Sequence, residues 1–133
     1  MTFSDAHEKA HIGHAVLDAI EEQDMDQLHE LFGERGRVWR NFDPVPRSFA
    51  ELRGGLSKMS SFLTSFKYDD RRLTEAEGCS VIQTTFRARS RSGAEVTMPM
   101  LLIVRADDLG IVYVEEYLDT AQMPPSDLTL NDV

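Results

Sequence analysis

The chain has 133 residues, 41% of them hydrophobic and 28% charged, with a formal net charge of −9. That length fits one domain with a packed core, expected over residues 1–133 with 121–133 as a tail. The negative balance argues against nucleic acid, whose phosphates need a positive footprint.

Ser4 or Asp5 can cap a first helix, along which Ala10, His14, Leu17 and Ile20 recur at helical spacing. His7-Glu8-Lys9-Ala10-His11 matches the H-E-x-x-H spacing of zinc proteases, and His14 extends the imidazole stripe by one turn. The motif falls at a helix start with no cleft implied around it. Exposed or capping histidines are therefore expected, and no metal is assigned. His14 shares a face with Ala10 and Leu17, either as a satisfied core histidine or as a group that reaches a pocket.

A second short helix begins near Asp26, buries Leu28, Leu31 and Phe32, and closes at Gly33 and Gly36. Val38-Trp39-Arg40-Asn41-Phe42 reads as a short strand stopped by Asp43-Pro44-Val45-Pro46. Asp43 is there either a turn starter or a second acid at a pocket mouth. Ser48 caps a third helix bearing Phe49, Leu52, Leu56, Met59 and Leu63. Gly54-Gly55 weakens that helix and suits close packing on a sheet.

The rest is β. Phe66 to Ala76 reads as an edge strand because of its charge. Val81–Arg89 and Glu95–Arg105 form a hairpin through Ser92-Gly93, and the alternating arginines before that turn suit a solvated tip. Cys79 follows Gly78 without a basic neighbour to lower its pKa, so a nucleophile is not expected. Being the one cysteine, it excludes an internal disulfide and suits a reducing compartment. In the last strand Val112, Val114, Glu116 and Leu118 share one face, and Ile111, Tyr113, Glu115, Tyr117 and Asp119 the other. An acid on an apolar face needs a partner, a proton or a use. Ala121 onward, with Pro124-Pro125, reads as a tail. No apolar run approaches membrane-spanning length and the N-terminus lacks a signal-peptide pattern, so a cytoplasmic protein is expected. The element order predicts an α+β fold, with helices on one face of a curved, mostly antiparallel sheet.

That order, with Val38-Trp39-Arg40-Asn41-Phe42-Asp43 early and Glu116-Tyr117-Leu118-Asp119 late, resembles the SnoaL-like branch of the NTF2-like superfamily over roughly residues 5 to 120. The resemblance implies a cone-shaped half-barrel open to a small, hydrophobic ligand. It also implies a homodimer through the outer sheet face, where Ile111, Tyr113 and Tyr117 would cluster with Phe86 and Ile82. Aligned with ketosteroid isomerases, the base position falls on Asn41 and the two oxyanion donors on Val16 and Leu102. None of these can do that chemistry. Aligned with limonene epoxide hydrolases, the last aspartate falls on Glu116, the asparagine on Asn41 and the tyrosine on Trp39. The arginine and first aspartate fall on Gln83 and Thr85, so that mechanism is incomplete too.

The same alignment turns Trp39, Asn41, Met98, Met100, Leu102, Val104, Val114, Glu116 and Leu118 into the cone, with Gln83 and Thr85 as further polar points. The methionines there either adapt to a ligand or simply fill the core. The expected function is general acid/base chemistry without a cofactor on a hydrophobic cyclic or aromatic molecule: isomerisation, dehydration, cyclisation or hydration. Glu116, Asn41 and His14 are the catalytic candidates. Trp39, Asp43, Gln83, Thr85, Met98, Met100, Leu102, Val114 and Leu118 are the substrate-binding ones. The alternative is a non-catalytic ligand-binding or scaffold protein on the same fold. No nucleic acid and no membrane is expected as a partner.

Overall fold

The computed structural model describes residues 3–122, with side chains from residue 12 onward. The His7 and His11 side chains and the stretch 123–133 lie outside the described residues. Helix α1 spans Phe3–Glu21 and α2 spans Met25–Phe32. Asp24 caps α2, its carboxylate accepting from Gln27 N at 3.0 Å, and Gly33 ends it at φ 58°. Strands β1 (Arg37–Arg40) and β2 (Asp43–Ser48) precede α3 (Phe49–Phe62). Then come β3 (Leu63–Ala76), β4 (Cys79–Ser90), β5 (Glu95–Asp107) and β6 (Gly110–Leu118), with a 3-10 turn at Thr120–Gln122. The expected tail therefore opens with an ordered turn.

The six strands form one sheet in the order β2-β1-β6-β5-β4-β3. Only the β1–β6 pairing is parallel. The expected α+β architecture is present, with three corrections. Asp43-Pro44-Val45-Pro46 does not end the sheet. It continues as β2 on the edge, where a proline's missing N–H is tolerated. Leu63 is the first residue of β3, not part of the helix. Gly54 has open space where a Cβ would sit, so it serves no close approach. The tight contact is at Gly13, where a Cβ would run into the Ile82 side chain. That glycine lets α1 lie on β4.

Ser48 was expected to cap α3, and it does so in a capping box. Its hydroxyl accepts from Glu51 N at 3.2 Å, and Glu51 Oε1 accepts from Ser48 N at 3.1 Å. The other end of α3 is held by the β4–β5 turn. Arg91 donates from Nη2 to Ser60 O at 2.8 Å and from Nε to Ser61 O at 2.5 Å. Arg91 is thus a helix C-cap and not part of a purely solvated tip.

The core lies between the helices and one sheet face. Leu17, Ile82 and Ile111 are wholly buried there, each worth about 1.5–3 kcal/mol of transfer free energy. On β4 the buried set is Ser80, Ile82, Thr84, Phe86, Ala88 and Ser90, and on β5 it is Val96, Met98, Met100, Leu102 and Val104. Three residues expected on the outer face are therefore inside: Ile82, Phe86 and Ile111. For Ile111 the cause is a bulge. Arg105 pairs with Tyr113 but Ala106 pairs with Ile111, so Val112 is an extra residue and alternation resets. Val112, expected inside, is 39% exposed.

Candidate functional site

One row of inward side chains crosses the sheet where β6 meets β1. Ile82 pairs with Leu102, Leu102 with Glu116, and Glu116 with Arg40 through the parallel register. Side chains at paired positions share a face, so Glu116 points into the apolar interior as expected. Arg40 lies beside it. This corrects the first-strand assignment: Val38 and Arg40 face inward, and Trp39 faces out. The Trp39 ring sits 5.2 Å from that of Tyr117 on the outer surface.

Desolvation pushes the Glu116 carboxyl above its ordinary range, and the nearby Arg40 charge opposes that rise without cancelling it. The carboxylate makes no hydrogen bond or ion pair with any described residue. Arg40 is anchored elsewhere. Its Nη2 donates to Asp43 Oδ2 at 3.0 Å, and its guanidinium lies 4.7 Å from the centroid of the Phe42 ring. Asp43 also accepts from Arg47 Nε at 2.8 Å and Nη2 at 3.1 Å. Those bonds and charges, Arg47's first, hold the Asp43 carboxyl down at about 2. Asp43 is a fixed anion that positions two arginines. It cannot act as a second acid near neutral pH.

Asn41 is committed to structure. Its Nδ2 donates to Leu118 O at 2.9 Å and its Oδ1 accepts from Leu118 N at 3.2 Å. The amide thereby extends the β1–β6 ladder past the end of β1. His14 turns to the β3 side: its Nδ1 lies 3.4 Å from Arg71 Nη1. Arg71 also bonds Asp18 at 2.7 Å, Glu21 at 3.1 Å and the Tyr68 carbonyl at 2.9 Å. The expected pairing of His14 with Glu116 or Asn41 thus gives way to an ionic cluster that fixes α1 to a bulge in β3.

Gln83 and Thr85 are corrected as well. Both point outward, and Thr84 between them points in, its hydroxyl donating to Asp69 O at 2.7 Å across the β3 bulge. The parity was legible, because Arg87 and Arg89 lie on the same face as Gln83 and Thr85. Met98, Met100, Leu102 and Val114 are buried inside, and Leu118 packs partly buried against them.

Two residues that sequence reasoning passed over join Glu116 inside. One is Arg40. The other is Tyr68, on the inner face of β3 and 8% exposed, with its ring 5.3 Å from that of Phe86. Burial first, then the charge of Glu116, raises the Tyr68 pKa and keeps the phenol protonated. The alternation of Phe66 and Tyr68 with Lys67 and Asp69 was the available signal. A separate groove of about 720 Å³ runs across the far end of the sheet. It brings together Asn41, Gln83, Thr85, Met100 and Leu118, but it does not include Glu116. The interior set carries the acid raised by desolvation, whereas the groove is lined by Tyr117, whose pKa is also raised, and by Asp119, held low by its bonds to Gln122 and Ala121.

No family model matches the sequence, and no curated protein matches it. Solved structures do. A candidate SnoaL-like polyketide cyclase from Shewanella denitrificans OS-217 superposes with a TM-score of 0.77 at 9% identity, over 87% of this chain and 93% of that one. An NTF2-like protein of unknown function from Burkholderia pseudomallei K96243 gives 0.76 at 13% identity, over 97% of this chain and all (100%) of the other. An LEH-like epoxide hydrolase from M. tuberculosis gives 0.73 at 18% identity, over 89% and 87%. The resemblance to SnoaL-like and NTF2-like proteins therefore holds in three dimensions, and at these identities it is a likeness of fold.

Proposed function

We propose that this NTF2-like fold takes a small hydrophobic molecule into the space between its helices and sheet, and that Glu116 moves a proton on it. The observation that carries the reading is Glu116 itself: a half-buried acid on the inner, apolar face of the sheet, its pKa raised by desolvation, and bonded to no described residue. A carboxyl held above its ordinary range gives up its proton less readily than a free one and is better suited to act as a general acid. Met98, Met100, Leu102 and Val114 supply apolar walls, and the fixed charge of Arg40 favours the anion that forms when Glu116 acts as an acid. Isomerisation, dehydration, cyclisation and hydration all lie within reach of such a set, and none needs a cofactor.

Naphthalene is a suitable probe. Bound inside, its ring current should move the methyl resonances of Met98 and Met100 in a carbon–proton NMR spectrum. Shifts confined to surface groups, or none at saturation, would defeat the reading.

Binding without catalysis is the second reading. It is favoured by the lack of a titratable partner hydrogen-bonded to Glu116. Asp43 is tied to two arginines and His14 lies against Arg71.

A homodimer through the outer sheet face belongs to the same proposal, with corrected residues. Trp39, Leu101, Ile103, Val112 and Tyr117 present apolar surface there, and Tyr117 is 38% exposed. Light scattering should give a dimer at micromolar concentration and a monomer for Tyr117→Arg. A monomeric parent protein would remove the dimer from the proposal.

A further inference from the structure

The groove across the far end of the sheet holds polar side chains that the fold itself does not engage. Several of its polar groups are tied within the protein: Asn41 to Leu118, Arg71 to Asp18 and Glu21, and Asp70 to Arg87. Arg72, Gln83 and Thr85 differ. Their side chains make no hydrogen bond or ion pair among the described residues. Every other described arginine has an acid, a carbonyl or a ring against it.

The strand register brings these three side chains together. Arg72 pairs with Gln83 across β3 and β4, and Thr85 lies two residues further along β4 on the same outward face. Beyond them the same face turns apolar. Gln83 pairs with Leu101 and Leu101 with Tyr117, while Thr85 pairs with Pro99. Neighbouring strands lie about 4.8 Å apart, so this floor reaches from Gln83 to Tyr117 over roughly 10 Å. The groove, of about 720 Å³, thus has a donor end on β3 and β4 and an apolar floor on β5 and β6. A guanidinium fork beside an amide and a hydroxyl is a donor set for a carboxylate. At the β6 end stands Asp119, its carboxyl held low by Gln122 and by the Ala121 N–H. A second carboxylate at that end meets a like charge.

We propose that this groove binds an aromatic monocarboxylate, its carboxylate held by Arg72, Gln83 and Thr85 and its rings laid on Pro99, Leu101 and Tyr117. The donor set lies on the face of the sheet opposite to Glu116. The site is therefore separate from the interior and does not depend on a ligand there.

The test titrates the full chain with naphthalene-2-carboxylate and follows it by NMR. The backbone amides of Gln83, Thr85 and Leu101 should shift, and the Met98 methyl inside should not. Naphthalene, the same body without the charge, should leave those three amides unmoved. Arg72 is exposed and holds no described partner, so its variants should keep the fold. Arg72→Gln should weaken binding about tenfold, and Arg72→Lys should restore part of that loss. Naphthalene-2,6-dicarboxylate should bind about fivefold more weakly than the monoacid. Glu116→Gln should change none of these results. Unchanged affinity in Arg72→Gln, shifts confined to Met98, or no shifts at saturation overturns the proposal. A dimer that shuts the groove through Leu101 and Tyr117 and excludes the acid overturns it too. The interior reading is judged separately, by naphthalene and the methyls of Met98 and Met100.

Discussion

Replacing Glu116 with Gln should lower any turnover by about 10²–10⁴-fold, the usual contribution of a positioned acid or base. Hydrophobic ligands should still bind. The same change should stabilise the fold at neutral pH, because it removes a charge that burial disfavours. The sign of the pH dependence follows from linkage. The folded-state pKa of Glu116 lies above its ordinary value of 4.5. The folded protein therefore holds that proton more firmly than the unfolded chain does. The stabilisation is fully present below the ordinary value and is lost as pH rises through the folded one. The parent should lose this increment over that window and the Gln variant should not, so the gap between them opens upward from about pH 4.5 and then levels. Urea midpoints measured from pH 4 to 9 would check it. Parallel curves for the two proteins would place Glu116 in water and remove its catalytic role.

Arg40→Met should cost about 3 kcal/mol at neutral pH, the low end for removing one member of a largely buried ion pair. The Arg40 side chain is 12% exposed and its partner Asp43 21%. Asp43 keeps Arg47 at 2.8 Å, which is why the low end applies. Two titrations should respond. Glu116 should rise further, because Arg40 is the influence that opposes its upward shift. The Asp43 carboxyl, held at about 2 against an ordinary 3.8, should relax upward as one of its two cations goes. A depressed carboxylate contributes stability above its ordinary value and loses it as pH falls through the folded one. The parent should therefore resist acid to lower pH than the variant. Denaturation curves at pH 7 and pH 3, with NMR titration of Glu116, would show this. An Arg40→Met protein as stable as its parent at both pH values would make Arg40 a surface group.

Much of this fold was written in local chemistry. Ser48 with Glu51 marks the start of α3 because a hydroxyl and a carboxylate three residues apart can each take the other's backbone N–H. Met98, Met100, Leu102 and Val104 form the buried face of β5, whose burial alternates through them although Leu101 and Ile103 between them are apolar as well. Glu116 could be placed inside from its neighbours alone, since Val114 and Leu118 two residues away on either side are apolar.

Other assignments needed the tertiary structure, and each for a physical reason. β1 is four residues long and carries one apolar side chain per face, Val38 on one and Trp39 on the other. Alternation is silent there. What decides is the parallel pairing with β6, which sets Arg40 beside Glu116 and leaves Trp39 against Tyr117 outside. Ile111 and Val112 exchanged faces because a bulge adds a residue, and no pattern along one strand reveals a mismatch with its neighbour. Asn41 reads as a free amide until Leu118 is seen to take both its ends. Tyr68 sits on a strand whose charges read as edge. It became interior because α1 covers that strand, with Glu21 accepting from Tyr68 N at 2.6 Å. The sequence by itself determined the helices, the strands other than β2, and the acid in the apolar wall. Only contacts between residues far apart in the chain decided which polar groups share the interior with it.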